Sequence, residues 1–226
     1  MQGALIVLEG AEGVGKTTQA RRLLDSLTQH AVACDYFREP GGTLLGESIR
    51  AVLLDRSQSV TPAAEALLFM ASRAQLMNEK VVPALREGHV VILDRFFLST
   101  YAYQIHGRAL PEREVRAANL LAVAGVIPSA TIVLRLPASE GLRRAGERSA
   151  HDYMEQLGDD FHSRVANAFD EFVKPEWQST HPECGPIAAV DGEGSADDVF
   201  ERVALAVVRQ VPALGAALAN PVEVLR

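Results

Sequence analysis

The chain lacks several features whose absence excludes whole classes of protein. Only two of its 226 residues are cysteines, which argues against a disulfide framework, and they show no metal-ligand spacing. No apolar run approaches the roughly 18 residues that a membrane span requires. With 22 basic and 29 acidic side chains the net charge is −7, which disfavours a protein that binds long polyanions. We therefore expect a soluble, cytoplasmic protein with no nucleic-acid or membrane partner.

Lysine is scarce as well. Only Lys16, Lys80 and Lys174 are lysines, and arginine supplies all the other basic side chains. The planar guanidinium group of arginine can hold a phosphate or a carboxylate through two parallel hydrogen bonds, which an ammonium group cannot do. The positions of these basic residues are therefore informative about anion binding.

Apolar runs alternate with helical patterns along the chain. Five runs are short and nearly continuous, as is typical of strands buried on both faces of a parallel sheet: Ala4–Leu8, Ala31–Phe37, Val90–Leu93, Ala130–Leu136 and Pro186–Val190. Helical spacing of apolar residues is found between them, in Thr17–Gln29, Thr61–Arg86, Glu112–Ala124, Asp152–Trp177 and Ala196–Val211. The alternation predicts one α/β domain over residues 1–211, a three-layer structure with a five-stranded parallel sheet. Residues 212–226 are expected to form a frayed helical tail.

A glycine-rich segment follows the first predicted strand directly. It runs Gly10, Ala11, Glu12, Gly13, Val14, Gly15, Lys16, Thr17, and it opens a helical pattern. In such a phosphate loop the backbone N–H groups cradle phosphate oxygens at a helix N-terminus, the lysine reaches the outer phosphates and the hydroxyl ligates Mg²⁺. The segment predicts a nucleoside-triphosphate site of the P-loop NTPase type.

A carboxylate at the end of a neighbouring strand would complete this site. Asp94 follows the apolar run of the third strand, and we expect it to hold Mg²⁺ through water, with Thr17 as the direct ligand. Arg95 comes next, at the edge of the sheet where open α/β proteins bind ligands. A guanidinium group there can bridge two phosphates, which makes Asp94 and Arg95 candidate catalytic residues.

Two further segments suggest a second ligand. Residues Arg38 to Thr43 form a rigid turn with one proline and two glycines, in which a salt bridge could join Arg38 to Glu39. Phe69 and Arg73 are one helical turn apart and share a helix face, so they could stack on a base and donate to its edge.

These motifs together closely resemble those of bacterial thymidylate kinases over most of the chain, from Met1 to about Asp191. The resemblance is carried by Glu9-Gly10 with Gly15-Lys16-Thr17-Thr18, by Arg38-Glu39-Pro40-Gly41-Gly42-Thr43, by Phe69 with Arg73, and by Asp94-Arg95-Phe96, Ser99-Thr100 and Tyr103-Gln104. It implies transfer of the γ-phosphate of ATP to dTMP, giving dTDP for dTTP synthesis, with Mg²⁺ and as a homodimer. It also implies that Gly10 to Thr18, including Thr18, bind ATP.

The resemblance implies roles for residues of the dTMP site. Arg38, Arg50 and Arg95 match residues near the acceptor phosphate, and Glu12 and Ser99 belong to the same site. Phe69 matches the aromatic residue that stacks on thymine, whereas Tyr103 matches one that excludes a 2′-hydroxyl group. The polar edge of thymine would be read by Arg73 and Gln104.

A short mobile lid is expected at about residues 143–153. Its clustered arginines suit closure over the triphosphate, and the resemblance assigns the catalytic cation to Arg148 first and Arg144 second. Two departures from the family pattern touch this donor side: Tyr153 replaces an arginine, and Arg135 replaces an aspartate.

Two alternative functions remain open from the sequence. The first is a kinase for another deoxynucleotide or for a nucleoside. The second, suggested by Tyr153 and Arg135, is a nucleotide-dependent switch without an acceptor. The dimer contact is expected around Thr61–Arg86 and Tyr101–Leu121.

Overall fold

Five strands form one parallel sheet, as predicted. The computed structural model describes residues 3–55, 57, 59–146 and 158–218. The strands are β1 (Ala4–Glu9), β2 (Cys34–Arg38), β3 (Val90–Asp94), β4 (Ala130–Arg135) and β5 (Ile187–Asp191). Strand β2 begins three residues later than predicted because Ala31 has a φ of 57°, which belongs to a turn and not to extended backbone.

The sheet order is β2-β3-β1-β4-β5, so β1 lies at the centre. All four pairings are parallel, and the carboxyl ends of the strands therefore lie at one edge. In this register Leu8 lies opposite Asp94, and Asp94 lies opposite Arg38. The alternating order brings the loops after β1, β2 and β3 together, which is where open α/β sheets bind ligands.

Helices connect the strands and cover both faces. Their bounds are α1 (Lys16–Gln29), α2 (Leu44–Leu54), α3 (Pro62–Leu76), α4 (Val82–Arg86), α5 (Phe97–Thr100), α6 (Glu112–Ala122), α7 (Ala138–Gly146), α8 (Asp159–Phe172), α9 (Pro175–Thr180), α10 (Ala196–Gln210) and α11 (Gly215–Leu218). Residues Met77–Val81 join α3 to α4, and Tyr101–Gly107 continue α5, in both cases with the wider π-helical turn. Such turns are rare in proteins overall, but many of those that occur lie at functional sites.

Alternate residues of the central strand contribute to two hydrophobic cores. Leu5 and Val7 of β1 pack with aromatic residues of α5 and α8 on one face. Ile6 and Leu8 point to the other face and pack with Leu23 of α1 and neighbours from α10. Because both faces are covered, every residue of β1 is buried. The three-layer α/β prediction is confirmed.

The long helix predicted over Asp152–Trp177 is wrong as a single element. The structure has α8 from Asp159 to Phe172 and a separate α9 that starts at Pro175. Proline cannot donate a backbone hydrogen bond inside a helix but suits its first position, so Pro175 begins a new helix. The part of the prediction before residue 158 lies outside the described residues.

The tail is not frayed where it is described. Residues Pro212–Leu214 form a short 3₁₀ turn and α11 follows, with Leu214, Ala217 and Leu218 buried in the second core. The side chain of Ser26 in α1 donates to the carbonyl oxygen of Ala217 at 2.8 Å. The segment is therefore ordered by its apolar contacts with the core, although its sequence shows only a weak helical pattern. Among the described residues, no helix is both long and apolar enough to cross a membrane.

Candidate active site

The phosphate loop lies between β1 and α1, as the sequence predicts. Gly15 precedes α1 with a φ of 97°, a left-handed conformation that favours glycine. The ammonium group of Lys16 donates to the carbonyl oxygens of Gly10 (2.9 Å) and Ala11 (2.6 Å). Burial, and after it the charge of Arg95, lower the pKa of Lys16 to about 8, although the carboxylates around it act in the opposite direction. The lysine is thus held inside the loop by groups that a phosphate can replace.

Thr17 and Asp94 meet at the mouth of the loop. The Thr17 hydroxyl group donates to Oδ2 of Asp94 at 2.5 Å, across 77 residues of sequence. Tyr36 of β2 lies beside them, with its hydroxyl oxygen 3.5 Å from the same carboxylate oxygen. Hydroxyl and carboxylate oxygens are the donors that Mg²⁺ prefers. The pair predicted from sequence for the metal is therefore brought together, and its donor chemistry fits the ion.

Arg95 and Glu12 form an ion pair above the loop. Nη2 of Arg95 lies 2.9 and 3.0 Å from the two carboxylate oxygens of Glu12, and the Tyr103 hydroxyl group donates to Oε1 at 2.7 Å. Burial raises the pKa of Glu12, but Arg95 and then Lys16 outweigh it and hold the value at about 2. The guanidinium carbon of Arg95 also lies 5.1 Å from the ring centre of Tyr103.

The backbone of Arg95 is unusual for a residue with a side chain. Its φ is 77°, in the left-handed region that glycine prefers. Its N–H group donates to the carbonyl oxygen of Leu8 at 3.0 Å, and Nη1 lies 3.2 Å from Ser99 Oγ. Such conformations cluster at functional sites, because the surrounding structure must hold them. Here the conformation turns the chain sharply at the end of β3.

Glu9 supports this turn and was given no role from the sequence. It is fully buried at the end of β1 and accepts from the backbone N–H groups of Phe96 (2.7 Å) and Ser99 (3.0 Å). Its other oxygen accepts from the Ser99 hydroxyl group at 2.6 Å. Glu9 thereby satisfies the free N–H groups at the start of α5. The sequence signal used for Asp94, a carboxylate at the end of a buried strand, is also present at Glu9 and could have identified it.

Glu39 pairs with Arg73 and not with Arg38. Nε and Nη2 of Arg73 donate to Oε2 of Glu39 at 2.7 and 2.5 Å, with both side chains almost fully buried. A guanidinium group has five N–H donors. The other three N–H groups of Arg73 donate to Thr100 Oγ1, Asn119 Oδ1 and the carbonyl oxygen of Phe96. The role of Arg73 as a reader of the base edge stays a prediction, and it would require Arg73 to share or exchange a partner.

Gln104 lies beside another buried carboxylate. Its Nε2 donates to Oε1 of Glu65 at 3.1 Å, and Glu65 also forms an ion pair with Arg108, in which Nη2 is 2.7 Å from Oε2. Gln104 belongs to the π-helical segment Tyr101–Gly107, which places its side chain and that of Tyr103 toward the cleft. The sequence motifs included Gln104 but gave no signal for Glu65.

One cleft of about 400 Å³ contains most of these groups. It joins the phosphate loop at one end to Phe69 and Gln104 at the other, and Arg50 donates to the carbonyl oxygen of Pro40 in its wall. The predicted site residues that line it are Glu12, Gly13, Gly15, Lys16, Thr17, Arg38, Arg50, Phe69, Arg73, Asp94, Arg95, Ser99, Tyr103 and Gln104. The cleft has the volume of a typical small-molecule site.

Several predicted site residues are placed elsewhere. Gly10, Ala11, Val14 and Thr18 belong to the loop or to the start of α1 but do not line the described cleft. In α7, Arg144 and Arg143 both bind Glu140, with Nε of each 2.6 and 2.9 Å from a carboxylate oxygen. The predicted lid residues Arg148 and Tyr153 lie outside the described residues. Arg135 forms an exposed ion pair with Asp170 of α8 at 2.7 Å.

The first turn of α7 approaches the phosphate loop without any side chain between them. A Cβ atom on Gly13 would lie 1.8 Å from the carbonyl oxygen of Gly141, and one on Gly141 would lie 2.6 Å from that of Glu12. Both distances are far below van der Waals contact, so only glycine fits at these two positions.

The sheet order, the phosphate loop and the Thr17–Asp94 pair define a P-loop nucleotide-binding protein. Residues 8–190 match the protein family described as thymidylate kinase. The chain belongs to the thymidylate kinase family.

Curated bacterial relatives, each named thymidylate kinase, support this assignment. One from Thermoanaerobacter sp. (strain X514) is 41% identical over 174 residues, which cover 77% of this chain and 85% of that protein. One from Synechococcus sp. (strain JA-2-3B'a(2-13)) is 41% identical over 207 residues, covering 92% and 95%. One from Cutibacterium acnes is 45% identical over 170 residues, covering 75% and 82%.

Proposed function

We propose that the protein is an ATP-dependent dTMP kinase that produces dTDP for dTTP synthesis. The part of the cleft lined by Arg38, Arg50, Phe69 and Gln104 is called the recess here. The observation that carries the proposal is that the phosphate loop and this recess belong to the same cleft. A protein that only bound or hydrolysed a nucleoside triphosphate would need the loop but not the recess. The arrangement favours a second phosphorylated ligand next to the first.

Phosphoryl transfer needs positioning and charge neutralisation more than covalent chemistry. Lys16 leaves the loop carbonyl oxygens and binds the outer phosphates of ATP. Arg95 is held by Glu12 at the junction of the two ligands, where it contacts the transferred group, while Arg38 and Arg50 bind the acceptor phosphate. The acceptor is already an anion, so no strong general base is required.

Mg²⁺ is part of the proposed mechanism. Thr17 would bind the ion directly and Asp94 through water, which agrees with the closeness of their oxygen atoms. When bound with ATP, the ion neutralises charge on the phosphates.

The recess would select the nucleoside. Half-buried Phe69 lies in its wall for stacking on the base, and Gln104 lies beside it for the polar edge. Tyr103 is fixed by its hydrogen bond to Glu12, so it cannot easily move aside for a 2′-hydroxyl group. On the donor side, Arg148 and then Arg144 are proposed to supply the catalytic cation.

A cytoplasmic homodimer completes the proposal. Exposed leucines lie on three helices that pack side by side, namely Leu44 and Leu45 on α2, Leu67 on α3, and Leu120 and Leu121 on α6. A second copy of the chain could cover this face. Of the predicted contact segment Tyr101–Leu121, Tyr101 to Gln104 are buried within the subunit, so the proposed face uses the part of that segment in α6. Sedimentation should give a dimer, and Leu67→Glu a monomer.

A coupled assay of ADP release with and without dTMP tests the function. We expect dTMP to accelerate ADP release from ATP strongly, with dUMP, dCMP, UMP and thymidine far less effective. Acceleration by another nucleotide or by thymidine instead would indicate the first alternative function. Slow ATP hydrolysis that dTMP leaves unchanged would indicate a nucleotide-dependent switch.

A further inference from the structure

Glu65 is a carboxylate that the protein buries at the edge of the cleft. It lies in the first turn of α3, where a negative charge favours the helix even when it is exposed to solvent. Its side chain is nevertheless only 2% exposed and lines the cleft. Burying an ionised carboxylate is unfavourable unless its oxygens are fully paired, so the burial requires an explanation other than helix stability.

Three hydrogen bonds hold this carboxylate in place. Oε2 accepts from Nη2 of Arg108 at 2.7 Å, and Oε1 accepts from Nε of Arg108 at 3.3 Å. Oε1 also accepts from Nε2 of Gln104 at 3.1 Å. The guanidinium group of Arg108 lies 5.4 Å from the ring centre of Phe161 in α8. Arg108 therefore fixes the position of Glu65, and Glu65 in turn contacts Gln104, which lines the cleft.

The contact with Gln104 determines which end of its amide group faces the ligand. An ionised carboxylate can only accept hydrogen bonds, and only the NH₂ end of a side-chain amide can donate them. Because both oxygens of Glu65 already accept hydrogen bonds from Arg108, the NH₂ end of Gln104 faces Glu65 and donates to it. The carbonyl oxygen of Gln104 is then the atom left to meet a base, and it can only accept.

We propose that Glu65 is a positioning residue that selects the base through Gln104. This inference rests on the proposed function. An acceptor on the protein binds a pyrimidine that carries a hydrogen on N3, as thymine does. It opposes cytosine, whose N3 is itself an acceptor. A site with a fixed hydrogen-bonding group rejects a ligand of the wrong pattern more strongly than shape alone can.

The test compares dTMP with 5-methyl-dCMP, which keeps the methyl group and differs only on the polar edge of the base. In Glu65→Gln, the new side chain can both donate and accept, so Gln104 can turn either way. We expect the ratio of kcat/KM for dTMP over 5-methyl-dCMP to fall at least about tenfold. The change should appear mainly in KM. Glu79→Gln, which alters an exposed carboxylate in the segment after α3, should leave the ratio unchanged.

A double-mutant cycle distinguishes positioning from a general structural role. Glu65→Gln should lower the ratio in the wild-type protein but not in a Gln104→Ala background, because the residue it acts through is gone. An equal effect in both backgrounds would overturn the proposal. If Glu65→Gln does not fold, Glu65→Asp carries the test, since it keeps the charge but withdraws the carboxylate by one methylene group. An unchanged ratio in Glu65→Asp would then also overturn it.

Calorimetric binding of both nucleotides, without ATP, separates this inference from the proposed function. Loss of the preference for dTMP binding in Glu65→Gln supports the positioning role whether or not phosphoryl transfer is observed. A retained preference overturns the role even if the wild-type enzyme phosphorylates dTMP. Failure of wild-type protein to release ADP with dTMP would overturn the function alone.

Discussion

Pairs of glutamate and arginine are found both on the buried side of the cleft and in helix α7, but the two sets differ in their exposure to solvent. On the buried side three carboxylates each bind an arginine, giving the pairs Glu12–Arg95, Glu39–Arg73 and Glu65–Arg108, of which the second is almost fully buried and the other two are largely buried. Their side chains are at most 20% exposed. In α7, Glu140 binds Arg143 and Arg144 with side chains that are 27–56% exposed. Burial, and not the pairing itself, distinguishes the two regions.

This difference teaches what each region can contribute to binding. A buried charge that loses its partner is left without water, so each buried pair fixes the position of both side chains before a ligand arrives. An exposed pair contributes little stability, because water can replace either partner. The arginines of α7 can therefore exchange Glu140 for a phosphate at small cost, whereas the buried side is already organised for its ligand.

Removing the cations proposed to bind the phosphates should have the largest effect. Lys16→Ala and Arg95→Ala are each expected to lower kcat/KM for dTMP by about a thousandfold or more, because in the proposed mechanism their charges act directly on the transferred group. ADP release measures this effect. Lys80→Ala, which removes an exposed lysine, serves as the control. More than a tenth of wild-type activity in either variant would contradict the assigned roles.

Breaking a buried pair should have the next largest effect, on stability. Glu39→Ala leaves the guanidinium group of Arg73 buried without its carboxylate and should lower the free energy of unfolding by about 3 kcal/mol. Denaturant unfolding followed by circular dichroism measures the change. Glu201→Ala removes an exposed carboxylate of α10 and should change little. A loss no larger than in that control would show that the pair does not fix the cleft.

A third and smaller effect is expected on the pH dependence of the free energy of unfolding. The pKa of Glu12 is about 2 in the folded protein against 4.5 as the reference value. Because the folded value is the lower one, the stabilisation by Glu12 is present above pH 4.5 and is lost as the pH falls toward 2. Between pH 6 and pH 4 this residue should account for a loss of about 1 kcal/mol. Unfolding of wild type and Glu12→Gln at both pH values tests this, and equal losses in the two proteins would contradict it.

The smallest effect is expected in α7. Glu140→Ala should change Tm by no more than about 2 °C, because the pairs it removes are exposed. It should not raise KM for ATP, since Arg143 and Arg144 keep their positive charges in this variant. Calorimetry and steady-state kinetics measure the two quantities. A fall in Tm as large as that of Glu39→Ala would remove the distinction between the two regions.

The two regions also differ in how well the sequence predicted them. The phosphate loop is a run of consecutive residues whose function follows from local geometry, and the apolar runs located all five strands. Each buried pair instead joins residues 34 to 83 positions apart, and nothing local identifies the partner. Glu39 therefore could be assigned to neighbouring Arg38, although tertiary packing brings it to Arg73.

Some of the remaining prediction errors could have been avoided from a signal in the local sequence, and others could not. Pro175 marked the start of α9 and could have divided the long helix predicted there. The π-helical turns of Tyr101–Gly107 have no such local signal; this segment packs against α8 and α6, which are separate elements of the chain. Those turns determine where Tyr103 and Gln104 lie, so the family resemblance could name both residues without locating them.

The contact between Gly13 and Gly141 has a mechanical consequence. Backbone touches backbone there, and a tightly packed contact transmits displacement instead of absorbing it. We therefore expect the phosphate loop and the first turn of α7 to move together. A displacement of the loop would then be transmitted to α7, which carries Arg143 and Arg144 two and three residues after Gly141.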